Sequence, residues 1–227
     1  MVRPTYLELL AKYGINGAHP GGMPLTVELL RNTHINSNTS LLDVGCGAGQ
    51  TSAFIAKRYR CKVTAVDINE EMLKRSSDKF NREKLKIDLI RANAEDLPFA
   101  SESFDILLSE SVTAFTNINR SLKEYYRVLK QHGTLMAIEI TSESSLTSND
   151  LSNIKFVYNI DRVPTTDEWI GAFTKAGFTA LKTFRVAVGP TNRITSIGML
   201  MDFFPHIRIL QYYRKKLGYR VFICKKQ

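Results

Sequence analysis

The stretch Leu41-Leu42-Asp43-Val44-Gly45-Cys46-Gly47-Ala48-Gly49-Gln50 decides how this chain is read. Its first half is a short apolar run of the kind that forms a strand buried on both faces. Its second half sets glycines at alternate positions between that strand and a helix-period segment. Glycine there lets the backbone turn tightly and approach a ligand with no Cβ in the way. Several nucleotide-binding folds use such a loop, so spacing has to separate them. A dinucleotide fingerprint is GxGxxG, with pyrophosphate at the N-terminus of the following helix. This chain has GxGxG, and the residue two beyond Gly49 is Thr51. No GxxxxGK[ST] occurs, which removes a phosphate-cradling P-loop.

Outward from the loop, β-rich runs alternate with helix-period runs. That pattern predicts a largely parallel α/β sheet with helices on both faces. Strands are expected at 40–44, 62–67, 86–91, 104–109, 133–140, 181–188 and 219–224, seven in all, with an antiparallel strand at the C-terminus. Asn69 is a good N-cap with Glu70 and Glu71 in the first turn, and Met72, Leu73, Ser76 and Phe80 share one helix face. Ile118, Leu122, Tyr125, Tyr126 and Leu129 keep the same period. Thr165-x-x-Glu168 is a capping box opening a helix with Trp169, Ile170, Phe173 and Ala176 inward and Gly177 as its stop. A helical insert separates the last two strands, and Pro205 is expected to split it in two. Residues 1–38 precede the repeating unit and contain a helix expected to start near Leu25; they read as a helical lid before a domain over 39–227. The segments 141–164 and 190–217 read as substrate-side inserts, placed where loops of such sheets cover a ligand.

At 227 residues, 44% hydrophobic and 23% charged, the chain suits one α/β domain. The N-terminus shows no secretion signal, and no segment approaches a membrane-spanning helix. Cys46, Cys61 and Cys224 form no CxxC pair, so a reducing compartment is expected and the protein is expected in the cytoplasm. The net charge of +9 is local: residues 1–180 balance to zero, while 181–227 carry ten Lys/Arg against Asp202 alone. Such a segment attracts an acidic substrate, a phospholipid head group or nucleic acid, or is simply a solvated face.

Twenty-two residues after Gly45, Asp67 closes the second strand. A carboxylate there can accept hydrogen bonds from two ribose hydroxyls in either an NAD or an adenosylmethionine site, so it does not discriminate. Asp43 does more: ahead of the first glycine it would repel a pyrophosphate and suits a ligand bearing an ammonium and a sulfonium. In order, LLDVGCGAGQ (41–50), VDIN (66–69), NAEDLPF (93–99), FDILLSES (104–111), YYRVLKQHGTLMAIE (125–139) and TTDEWIGAFTKAGF (165–178) resemble the successive motifs of class I S-adenosylmethionine-dependent methyltransferases. The likeness is nearest to the small-molecule group that includes ubiquinone and menaquinone biosynthesis enzymes. The resemblance implies a Rossmann-like fold and S-adenosylmethionine as cofactor. It further implies that Asp43, Gly45, Cys46 and Gly47 line the methionine part, with Gly49 closing the loop. Asp67 would hold the ribose, Ile68 would pack on the adenine, and Asn93 and Ala94 would meet the adenine edge. Many relatives have Asp where this chain has Asn93. Ser109 would lie beside the methionine moiety.

Transfer of an activated methyl requires the acceptor about 3–3.5 Å away and in line, with water excluded. Some acceptors also need a proton removed. Glu110, just past the fourth strand, and His19, in His19-Pro20-Gly21-Gly22, are the candidate bases; each also has a plain reading, as a capping carboxylate and a turn residue. His34, His132 and His206 do not combine with acids at metal-ligand spacing, so no metal is assigned. No [DN]PP[YF] follows the fourth strand, which lowers a nucleic-acid base as acceptor. The segment 192–217 is apolar first (Ile194, Ile197, Met199, Leu200, Met201, Phe203, Phe204) and basic later (Arg208, Arg214, Lys215, Lys216). It reads as a pocket for a hydrophobic molecule with an acid group, or as core. The expectation is methyl transfer to a small, anionic or amphipathic metabolite. The alternatives are a methyltransferase docking RNA or protein on the basic segment, and a non-catalytic adenosylmethionine-binding protein.

Overall fold

Four of the five residues of β1 (Ser40–Val44) are buried, and this apolar strand lies inside a seven-stranded sheet ordered β3-β2-β1-β4-β5-β7-β6. The computed structural model describes residues 4–15, 19–186 and 196–227. Parallel neighbours of β1 are β2 (Lys62–Asp67) and β4 (Phe104–Glu110); β3 (Asp88–Arg91) lies beyond β2, and β5 (Leu129–Ser142) beyond β4. The C-terminal β7 (Leu217–Lys226) runs antiparallel between β5 and β6 (Phe178–Arg185). The strand order reverses between β1 and β4. A crevice for a ligand opens at such a switch point, outside the carboxyl ends of the strands.

Helices α3 (Gln50–Tyr59), α4 (Glu70–Arg82), α5 (Ile118–Val128) and α7 (Thr166–Lys175) cover the sheet. Strand alternation divides the core: Leu42, Leu107, Trp169, Phe173 and Phe222 pack on one face, and Leu41, Ile55, Leu108 and Val221 on the other. Trp169 is fully buried, and its indole Nε1–H donates to the Ile140 carbonyl at 2.9 Å. The expected caps form. Asn69 accepts from the Met72 amide, and Thr165 and Glu168 cap each other reciprocally. Each such cap is worth about 1 kcal/mol.

Three further helices, α1 (Tyr6–Tyr13), α6 (Ser148–Tyr158) and α8 (Ile197–Tyr212), pack together beyond the carboxyl ends of the strands. Pro205 does not divide the insert, because α8 is continuous through it. An interior proline costs about 3 kcal/mol. Against that, Met199 and Phe203 bury themselves with Leu9 of α1, and α8 also packs along α6. The helix α2 (Gly22–Arg31) begins earlier than the expected Leu25, β3 begins at Asp88, and β5 is longer at both ends. The part of the sixth strand assigned to 187–188, and 190–195 of the insert, lie outside the described residues. Among the described residues no helix is long and apolar enough to cross a membrane.

The basic C-terminal segment is not one open surface. Lys216 pairs with Asp150 at 2.6 Å, Arg220 with Glu143 at 3.2 Å and Lys226 with Glu102 at 3.4 Å. Folding spends these cations on acids of the preceding chain, which formal charge along the sequence does not reveal.

Candidate functional site

The glycine loop folds back onto the end of β2. The amides of Gly45 and Cys46 donate to the Val66 carbonyl at 2.8 and 2.9 Å. The Gly47 amide donates to Asp67 Oδ2 at 2.9 Å, and Asp67 Oδ1 accepts the Asn69 amide at 2.9 Å. Each carboxylate oxygen has thus taken one hydrogen bond and keeps room for another. Burial pushes the Asp67 carboxyl above its ordinary range.

The three glycines do different work. Gly47 has φ of +54°, and a Cβ built there would meet no atom within 4 Å, so this backbone faces open space. A Cβ on Gly45 would lie 2.3 Å from Val112, and one on Gly49 would lie 2.6 Å from the Phe80 ring. Gly49 therefore serves packing against α4 and does not line the cavity. Cys46 lines it, but burial, with Asp43 and Asp67 close by, holds its thiol well above the usual range. That makes it a poor nucleophile. Asp43 is buried, accepts from the Ser52 hydroxyl, and is pushed up to about 7 by burial and by the charge of Glu110.

These residues bound a cavity of about 530 Å³, within the range of small-molecule sites. At the end bounded by the glycine loop and β2, Ile68 is 59% exposed, a large apolar side chain on the cavity wall. Asn93 is exposed with its Oδ1 accepting the Glu95 amide at 3.0 Å, and Ala94 is buried beside it. Ser109 is not brought to the cavity. Strand alternation turns it inward with Leu107, where its hydroxyl meets that of Thr113 at 3.1 Å, and Glu110, Ser111 and Val112 form the wall instead.

Glu110 and His19, from distant parts of the sequence, come together. His19 Nε2 lies 3.5 Å from Glu110 Oε2. Thr26 of α2 donates its hydroxyl hydrogen to Glu110 Oε1, and Thr51 of α3 donates to Oε2 at 2.8 Å. With the Thr26 hydrogen committed, His19 Nε2, 3.2 Å from Thr26 Oγ1, is the donor in that contact. The N-terminal segment is thereby tied to the carboxyl end of β4.

The other end of the cavity is aromatic: Tyr6, Phe115, Tyr158, His206 and Tyr219 line it. Its floor includes Glu139, which accepts the amides of Thr113 and Ala114 at 3.0 and 3.1 Å and is pushed up to about 7 by burial. Sequence reasoning missed these residues. In the sequence His206 has no acid at metal-ligand spacing, and Tyr6, Thr26 and Tyr219 carry no local signal. The apolar half of the insert does not line the cavity as expected. Met199 and Phe203 face α1, Leu200, Met201 and Phe204 are exposed, and α8 gives the cavity His206 and Leu210. Ile194 and the side chain of Ile197 lie outside what is described. Among the described lining residues there is no lysine or arginine, so the cations expected to meet an acid group do not reach it.

A family model described as a methyltransferase domain matches residues 42–137. An uncharacterised methyltransferase of Bacillus subtilis, YodH, is 32% identical over 97% of this chain and 99% of its own length. The ubiquinone/menaquinone biosynthesis C-methyltransferase UbiE of Rickettsia felis is 31% identical, over 63% of this chain and 69% of that protein. Among solved structures, phosphoethanolamine N-methyltransferase 2 of Haemonchus contortus, in complex with S-adenosyl-L-methionine, superposes with a TM-score of 0.82 over 97% of this chain and 57% of the other. Its 17% identity speaks for the fold alone.

Proposed function

This chain belongs to the class I S-adenosylmethionine-dependent methyltransferases, and from that premise we propose that it methylates a small amphipathic acceptor whose inserted end is uncharged. S-Adenosylmethionine supplies a methyl already activated as a sulfonium substituent. The residues present fit that cofactor. The open cradle over Gly47 is the one a Cβ would fill, and Asp67 retains acceptor capacity on both oxygens for a ribose diol. Ile68 offers an apolar face for the adenine, with Asn93 and Ala94 at its edge, while Gly45, Cys46 and Asp43 receive the methionine part. Asp43 suits an ammonium: a cation beside it favours its charged form, which burial alone disfavours. Ser109 acts one layer back, through Thr113 and the turn that lines the cavity.

The protein's own contribution is placement and exclusion of water. Residues 1–38, 141–164 and 190–217 supply α1, α6 and α8, and we read these as the lid over the acceptor. Glu110 is the carboxylate placed to take a proton where an acceptor requires it, and His19 positions it through Thr26.

The observation that carries the acceptor class is the lining: aromatic rings and tyrosine hydroxyls, with no lysine or arginine among the described residues. A buried anion without a partner is costly, so the anionic acceptor expected from the sequence loses its support. The pairing of Lys216, Arg220 and Lys226 likewise weakens a docking surface for RNA. Three free, buried cysteines suit a reducing compartment such as the cytoplasm. The test is production of S-adenosylhomocysteine from S-adenosylmethionine with metabolite fractions separated by charge. Turnover is expected with the neutral, apolar fraction, and turnover confined to the anionic fraction would refute the reading.

A further inference from the structure

At the aromatic end of the cavity, four polar side chains from four separate elements meet: Tyr6 of α1, Tyr158 of α6, His206 of α8 and Tyr219 of β7. Only one pair is satisfied internally, the Tyr158 hydroxyl with His206 Nδ1 at 2.6 Å. Where the Tyr158 hydroxyl donates to Nδ1, Nε2 carries the imidazole hydrogen, and where it accepts from Nδ1, Nε2 is left as an acceptor. Tyr6 stacks on the His206 ring with centroids 4.6 Å apart and planes 24° apart, and Tyr158 meets that ring edge-on. The imidazole is therefore fixed in place. His206 Nε2, Tyr6 Oη and Tyr219 Oη have no hydrogen-bond partner among the described residues, yet all three side chains line the cavity. All three residues are only partly buried and open onto the cavity, so their hydrogen-bonding capacity is available to whatever enters it.

We propose that Tyr6, Tyr219 and His206 form a recognition subsite for an uncharged hydrogen-bonding group, a carbonyl or hydroxyl on an otherwise apolar ring, and that this subsite selects the acceptor. The inference rests on the reading of this cavity as the place where the acceptor binds. Its polar atoms match such a group in kind: two hydroxyls that give or accept, and one imidazole nitrogen. Phe115, nearly parallel to Tyr6 at 16° with centroids 6.4 Å apart, adds a flat apolar wall for the ring. Among the described lining residues no lysine or arginine is there to meet an anion, and Glu139 in the floor has both carboxyl oxygens committed to the Thr113 and Ala114 amides. Burial drives His206 down to about 4, so it stays neutral, and pushes Tyr219 up to about 12, with Tyr6 and Tyr158 also raised. A medium that suppresses the ionisation of its own walls disfavours an ionised guest for the same reason.

The experiment compares three probes that share one ring system: naphthol, naphthoate and naphthylmethylammonium. Each is titrated into the full chain saturated with S-adenosylhomocysteine, with Tyr6→Phe and Tyr219→Phe alongside. Naphthol is expected to bind at least roughly tenfold more tightly than either charged analogue. Each phenylalanine variant is expected to weaken naphthol by roughly threefold to tenfold, the worth of one neutral hydrogen bond, with unchanged affinity for S-adenosylhomocysteine. Naphthoate or the ammonium binding as tightly as naphthol would overturn the proposal. So would phenylalanine variants that bind naphthol like the parent, or that lose S-adenosylhomocysteine in parallel. The parent chain's own affinity for S-adenosylhomocysteine reads the cofactor assignment separately.

Discussion

The Gly47 amide and the Asp67 carboxylate are joined at 2.9 Å, across the gap between the loop after β1 and the end of β2. This bond ties the bend that faces the cavity to the acid at the end of β2, so the two halves of the site proposed for the nucleoside are held by one contact. Replacing Asp67 by Ala removes the acceptor for the ribose hydroxyls and frees the loop. Affinity for S-adenosylhomocysteine, measured by calorimetry, is expected to fall by ~1–3 kcal/mol. Unchanged affinity would remove Asp67 from the site.

The glycines separate by substitution. Gly47→Val places a branched side chain in the open cradle at a φ of +54° and is expected to abolish cofactor binding. Its backbone strain costs about 1–3 kcal/mol, leaving the fold largely intact. Gly49→Ala instead drives a methyl into Phe80, so thermal denaturation should show the larger loss of stability there. A Gly47→Val protein that still binds would show that the cradle is not the contact surface.

Stability should depend on pH through Asp43. Its carboxyl is pushed up to about 7 in the folded chain, largely by burial, against an ordinary value near 4 when unfolded. The folded state then holds more protons between those values, so stability falls as pH rises from about 4 to about 7 and the loss is complete above that. Asp43→Asn keeps an acceptor for Ser52 and cannot ionise, and it should lessen that decline, leaving the part that comes from Glu139, which burial also pushes up to about 7. Melting temperatures of the ligand-free chain across this range check it; parallel profiles for parent and variant would contradict it.

Thr26 is the link between His19 and Glu110. Thr26→Val preserves shape and removes the hydroxyl. With an acceptor that must lose a proton, kcat is expected to drop about tenfold or more while S-adenosylmethionine affinity holds, and the pH–rate profile should shift. An unaltered profile would assign the network a purely structural role.

Trp169, fully buried and hydrogen-bonded to Ile140, should be the most costly single truncation in the core. Trp169→Ala is expected to destabilise by ~3–5 kcal/mol in urea denaturation. A loss below about 1 kcal/mol would show that this core region tolerates voids.

What the sequence made legible was what neighbouring residues determine. The glycine loop, the Asn69 and Thr165 caps and the strand order of burial follow from local spacing, and they put Asp43, Gly47, Asp67 and Ile68 around one cavity. Ser109 lies one strand position from the lining: alternation packs it against Thr113 while Glu110 borders the cavity. Pro205 was given its usual local weight, and the packing of α8 on α1 outweighed it. The aromatic subsite was invisible: Tyr6 and His206 are 200 residues apart in sequence, and only the docking of α1 on α8 makes them neighbours. The pairing of Lys216 and Arg220 was out of reach for the same reason, since Asp150 and Glu143 meet them only after folding.

The central claim is tested most directly by titrating the purified chain with S-adenosylhomocysteine and, separately, with NAD. Saturable one-to-one binding of S-adenosylhomocysteine, lost in Gly47→Val, with no heat from NAD, is the expected result. Binding of NAD at the same residues, or no binding of the nucleoside, would contradict the account.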